Sequence, residues 1–166
     1  MRFPTVLALA SDLSAGRTTS RRLVEQCLTR INDPKGEGAR AFTKVYADSA
    51  LAEADASDKL RALGVVRSPV EGIPISVKDL FDVAGDRTLA GSKALRSAAP
   101  ATADAPAVAR LRAAGAIIVG RTGMVEFAFG GVGINPHYGT PKNPWDRASG
   151  GRIPGGSSSG AAVAVA

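Results

Sequence analysis

From Gly72 to Lys78 the chain reads GIPISVK, with Ile73, Ile75 and Val77 alternating with Pro74, Ser76 and Lys78. A period of two is the signature of a strand whose two faces meet different surroundings. Further on, Ala116–Val119 is a short uninterrupted apolar run, AIIV, that reads as a buried strand. Between the two lies a helical stretch that Asp104 or Pro106 opens, that continues through Ala114 and that Gly115 caps. A strand, a crossover containing a helix and a second strand favour a parallel sheet with helices packed on it, which places the chain in the α/β class.

The residues before this unit read as helical. Thr18 or Thr19 caps a helix from Ser20 to about Asn32, and Asp33-Pro34-Lys35-Gly36 breaks it. Ala41–Tyr46 has the composition of a short strand, and Asp48 caps a second helix that runs to Leu63 with Gly64 at its end. Residues 1–66 are therefore expected to form a helical lead-in, and 67–166 the first part of an α/β core within one domain. A brief helix is predicted at Met124–Phe129. The Gly/Pro/Asn-rich stretch from Gly130 to Ser159 shows no core pattern, and so long a loop in a compact domain is usually functional. Gly160–Ala166, GAAVAVA, reads as the start of a buried helix with no closing polar turn, so the chain is expected to continue.

Composition narrows the function classes. Hydrophobic residues make up 45% and charged residues 22% of the 166, which fits a globular domain. The net charge of +6 comes from basic residues spread along the chain without a dense run, and aromatic residues for stacking on bases are few, which disfavours specific nucleic-acid binding. Cys27 is the only cysteine and falls on an apolar helical stripe with Leu23, Val24, Leu28 and Ile31, so core packing in a reducing compartment is expected. The N-terminal MRFPTVLALAS is too short, and too early interrupted by Pro4, for a secretory signal, and no stretch is long enough to span a membrane. A cytoplasmic location is the default expectation.

Two features carry chemistry. Lys78 ends a strand, where open α/β sheets place ligand sites. It could be a surface cation paired with Asp79 or Asp82, or a base, provided burial without a carboxylate partner lowers its pKa. Asp79 points to the opposite face of a regular strand, which leaves the second reading open. The other feature is IPGGSSSG, Ile153–Gly160. As a phosphate cradle it lacks the lysine that follows the glycines in a P-loop. As a G-x-S-x-G nucleophile elbow it lacks a preceding apolar strand, and His137, the only histidine, lies upstream.

Three blocks offer a third reading of the serine loop: GIPISVKDLFDVAG (Gly72–Gly85), AGAIIVGRTGMVEFAFGG (Ala114–Gly131) and NPHYGTPKNPWD with RIPGGSSSGAAVAVA (Asn135–Ala166). In content, order and spacing they resemble the amidase signature family, over essentially the whole chain. The resemblance implies an α/β/α core around a mixed, largely parallel sheet. It also implies hydrolysis or transfer of carboxamides by a serine–serine–lysine triad, with no cofactor and no metal.

By the same resemblance Lys78 is the family's buried base. Ser157, after Gly155-Gly156 and a cis peptide bond, is its bridging serine, with Ser158 and Ser159 as supporting hydrogen-bonders or helix caps. Ala128, Phe129, Gly130 and Gly131 are expected to line the substrate side. The attacking serine would follow Ser157 by about two dozen residues, on a loop whose amides form an oxyanion hole, so the 166 residues alone are expected to be inactive. The partner is a small-molecule amide, and a homo-oligomer stays open. Two other readings remain: the amidase subunit of a glutamyl-tRNA amidotransferase, with tRNA as a further partner, and a non-catalytic anion-binding module. Gly123 departs from the family pattern, which usually has Asn there, and Arg87 stands in a stretch that is often Thr-rich.

Overall fold

A computed structural model describes residues 4–145 and 147–166; Met1–Phe3 and Asp146 lie outside the described residues. The chain forms helices α1 (Val6–Ser14), α2 (Ser20–Ile31) and α3 (Gly38–Ala41), strand β1 (Phe42–Val45), helix α4 (Ala47–Ala62) and strand β2 (Pro74–Lys78). After these come helix α5 (Pro106–Ala113), strand β3 (Ile117–Thr122) and helix α6 (Ser159–Val165).

The sheet has the order β1-β3-β2, with β2 parallel and β1 antiparallel to β3. It is mixed, and the parallel pair is the one expected from the β2–α5–β3 crossover. Lys78 pairs with Thr122 and Val77 with Arg121, after an irregularity between Ile75 and Ser76. The central strand is buried at every position, because helices cover both sides. On one side Ile117 and Val119 pack with Val24, Leu28, Ile31, Ala50 and Ala54 of α2 and α4. On the other, Ile118 packs with Val77, Val83 and Val108.

Thr19 caps α2 by accepting from Arg22 N, as its hydroxyl can and an apolar residue cannot. α4 begins two residues earlier than Asp48 as its cap would set it: Tyr46 is the capping residue and offers no side-chain bond, while Asp48 sits in the first turn, where its charge suits the helix dipole. α4 lies close on α2 through Ala50, Ala54 and Ser57, all fully buried. Pro106 opens α5, and Asp104 works elsewhere, accepting from Ala84 N and pairing with Arg112. β1 falls inside the first 66 residues and joins the sheet, tying that segment to the rest.

Two expectations are corrected. β3 does not stop at Val119 but continues through Gly120, Arg121 and Thr122, because Arg121 finds a buried carboxylate, Asp79, across the sheet. The helix expected at Met124–Phe129 is only a 3-10 turn, Glu126–Ala128, with Phe127 and Ala128 at φ 50 and 59. Bonds to distant segments override the local pattern there: Phe127 N donates to Ala90 O, and Val125 N to Ser157 O.

Candidate active site

β2 ends at Lys78, whose side chain leaves the sheet on the face opposite Asp79. Its Nζ donates to Ser157 Oγ at 2.7 Å. Lys78 and Ser157 are both half-buried. Burial holds the Lys78 pKa below its ordinary value, and no carboxylate among the described residues acts against that shift.

The serine loop reaches this position through backbone contacts. The Gly156–Ser157 peptide bond is cis. Gly156 N donates to Gly131 O at 2.8 Å and Ser157 O accepts from Val125 N at 3.0 Å, so the loop lies across residues 125–131. Gly155 adopts φ 78 and passes Gly133 so closely that a Cβ on Gly133 would stand 2.2 Å from Gly155 O. α6 then starts against the end of β3. Gly160 N donates to Gly123 O at 2.9 Å, and a Cβ on Gly160 would meet Ala41 O at 2.2 Å.

Ser159 is buried, and its hydroxyl reaches Gly123 O at 3.5 Å. Ser158 is exposed; it precedes α6 without a side-chain capping bond, and its carbonyl accepts from Ala162 N. Gly123 joins the strand end to α6. An added Cβ there would make only ordinary contacts, the nearest at 3.5 Å to Arg40 O, so space does not demand glycine.

Of the residues expected on the substrate side, Gly131 holds the serine loop through its carbonyl, Ala128 sits in the left-handed turn, and Phe129 projects outward with 92% of its surface exposed. Beside them Val125, Glu126, Phe127, Phe129, Ile134 and Pro136 line a depression of about 660 Å³.

Several organising residues escaped the sequence reading. Asn135 is buried; its Nδ2 donates to Gly91 O and Met124 O, and its Oδ1 accepts from His137 N and Tyr138 N. Glu126 accepts from Ser92 at 2.6 Å and lies 3.0 Å from His137 Nε2. The Ser92 bond, then His137, hold its carboxyl below the usual range. His137 is thus a loop residue with a carboxylate partner. Among the described residues no group of three or more His, Cys, Asp or Glu could hold a metal ion.

Beneath the site, Arg121 Nε donates to Asp79 Oδ1 at 2.8 Å, both side chains being almost wholly buried. A signal for this pair was present: a lone cation in an apolar strand, and an acid one residue past the end of its neighbour.

A family model for amidases matches residues 22–166. The chain belongs to the amidase family. It is 47% identical over 95% of its length to AtzE, the 1-carboxybiuret hydrolase subunit of Pseudomonas sp. (strain ADP), of which it covers 34%. It is 43% identical over its whole length to a glutamyl-tRNA(Gln) amidotransferase subunit of Chromohalobacter salexigens, covering 33% of that protein. Among solved structures, the native peptide amidase of Stenotrophomonas maltophilia superposes with a TM-score of 0.81 at 38% identity, over 96% of this chain and 33% of that one. This amidase-family chain therefore spans about a third of the length of these relatives. None of its described helices is long and apolar enough to cross a membrane.

Proposed function

We propose that these residues supply the base and the proton relay of an amidase that hydrolyses a carboxamide C–N bond through a serine acyl-enzyme. The observation that carries this reading is the 2.7 Å contact between Lys78 Nζ and Ser157 Oγ, with burial the only influence on a lysine whose pKa is lowered. A neutral Lys78 takes the proton of Ser157, and Ser157 takes that of the attacking serine, whose oxygen then adds to the amide carbonyl. On collapse the relay runs in reverse, Ser157 giving one proton to the leaving nitrogen and regaining one from Lys78. Water, deprotonated through the same relay, then attacks the acyl-enzyme, and the acid leaves as the attacking serine is reprotonated. Gly155, Gly156, Ser158 and Ser159 hold the relay in place, and Ala128–Gly131 face the substrate.

The attacking serine and the oxyanion donors are expected in the two-thirds of the family fold that the 166 residues do not match, so the chain by itself is expected to turn over no amide. In this reading residues 1–66 and 67–166 are parts of one domain, joined by β1, and the protein works in the cytoplasm on a small amide without cofactor.

The test is steady-state hydrolysis by the complete domain that carries this chain. Lys78→Ala and Ser157→Ala should each lower kcat/KM by roughly 10³–10⁴-fold, and a mass shift on the attacking serine should mark the acyl-enzyme. Near-native turnover in both variants overturns the reading. The 43% identity to an amidotransferase subunit favours a second one, in which ammonia is passed on to a tRNA-bound substrate; activity that appears only with partner subunits and tRNA would select it.

A further inference from the structure

Lys78 and Asp79 are consecutive, so their Cα atoms are about 3.8 Å apart, yet among the described residues the lysine has no ion-pair partner. The reason lies on the other face of the sheet. Asp79 is 1% exposed, and its carboxylate accepts from Arg121 Nε at 2.8 Å and from Gly91 N at 3.1 Å. Arg121, equally buried, also donates from Nη2 to Phe81 O at 2.9 Å, within the turn that Phe81 N closes on Lys78 O. A second carboxylate, Asp86, lies 3.9 Å from Arg121 Nη1 and is held by Lys44 and Tyr46. Two cations, Arg121 and Lys44, thus face two carboxylates, Asp79 and Asp86. Asp82, in the turn after Lys78, is exposed and accepts from Thr88, and no carboxylate among the described residues forms an ion pair with Lys78.

We propose that Arg121 is a positioning residue for Lys78: its guanidinium cancels the Asp79 charge through the sheet and braces the turn after Lys78, so that the amine has Ser157 as its partner and no carboxylate. The proposal rests on the reading of Lys78 as the base, and it adds a residue on the face of the sheet away from the reacting groups. The other elements packed near Lys78 give it no competing charge. α6 has no ionisable side chain. Those of α2 (Arg21, Arg22, Glu25, Cys27 and Arg30) are exposed or half-buried, with Arg21 paired to Glu25 and Asp55. Glu126 is engaged by Ser92 and His137.

The test reads Lys78 directly, by carbon-13 NMR titration of its ε-carbon in the complete domain that carries this chain, the signal being assigned by its loss in Lys78→Arg. Removing the Arg121 charge leaves a bare carboxylate on the far side of one strand. At an effective dielectric near 20 and a separation on the order of 10 Å, that raises a lysine midpoint by about one pH unit. Arg121→Met should show this rise, Arg121→Lys should keep the native midpoint, and Asp79→Asn/Arg121→Met should return to it.

An unchanged midpoint in a folded Arg121→Met overturns the proposal. So does a double variant that shifts as far as Arg121→Met, because bracing alone does not depend on the sign of the missing charge. Should Arg121→Met fail to fold, Asp79→Asn decides: it leaves the Arg121 charge uncancelled and should lower the midpoint by about one pH unit, and an unchanged midpoint there overturns the proposal. The readout is a titration and not amide turnover, so failure of the amidase reading leaves this result intact and distinguishable.

Discussion

The two faces of the sheet at the end of β2 treat neighbouring residues in opposite ways. On one face Asp79 is sealed from water and met by a guanidinium and a backbone amide. On the other, Lys78 is half-buried and has a serine hydroxyl for company. The first arrangement satisfies its charge and leaves nothing to react. The second withholds a counter-ion from a desolvated amine, which is how a lysine is kept ready to accept a proton. One strand separates a structural ion pair from a candidate base, and strand alternation is the device that keeps them apart.

The largest effect expected from breaking this contrast is on the satisfied face. Removing one member of a buried pair strands the other, which costs about 3–5 kcal/mol. Arg121→Met should therefore lose that much in urea unfolding, while Lys78→Met should change stability by less than about 1 kcal/mol, since its partner is a half-exposed hydroxyl. Equal losses in the two variants would remove the distinction between the faces.

A smaller effect is expected where α6 meets the strand ends. The atoms that an alanine at position 160 would strike, Ala41 O and Gly123 N, are backbone and cannot swing away. Gly160→Ala should cost about 1–3 kcal/mol through overpacking and displace the serine loop from Lys78. Calorimetry gives the first quantity, and loss of the native Lys78 ε-carbon shift gives the second. A stable variant with an unmoved shift would show that α6 does not set the position of Ser157.

Much of the frame around this contrast is legible in the sequence, because β2 and β3 announce themselves by local pattern and α2 by its stripe and its Thr19 cap. What is not legible depends on partners far along the chain. Arg121 reads as the end of an apolar strand until Asp79 is seen beside it, 42 residues away. The turn at Phe127 reads as helix until Ala90 and the serine loop claim its neighbours. Asn135 looks like one more polar loop residue, yet four bonds to three segments make it the organiser of residues 91, 124 and 137–138. At the site itself, the residues alone left two meanings for the serine loop, a phosphate cradle and a nucleophile elbow, and the third came with the family resemblance. Lys78 and Ser157 were put forward together through a family resemblance, and their separation of 79 residues hides the contact from any local pattern.

The smallest expected effect concerns the cost of keeping Lys78 without a counter-charge. Burial lowers its pKa in the folded chain, so between that value and the ordinary one near 10.5 the unfolded chain holds more protons than the folded one. Unfolding free energy then rises with pH across that interval: the penalty for a buried ammonium is felt in full below the folded pKa and fades as pH climbs through it. Tyr46 acts in the reverse sense, because burial and its bond to Asp86 raise its pKa, and so does the half-buried thiol of Cys27, whose pKa burial raises. The Lys78 contribution must therefore be read as a difference. Urea unfolding of the native chain and of Lys78→Met, compared from neutral pH to about pH 10.5, cancels the tyrosine and the thiol, which both chains share. The native chain should gain on the variant as pH rises, and most steeply midway between the Lys78 midpoint that NMR finds and the ordinary value near 10.5. Parallel curves would mean that Lys78 titrates alike in the folded and unfolded chains, and the contrast between the two faces would then be one of packing and not of charge.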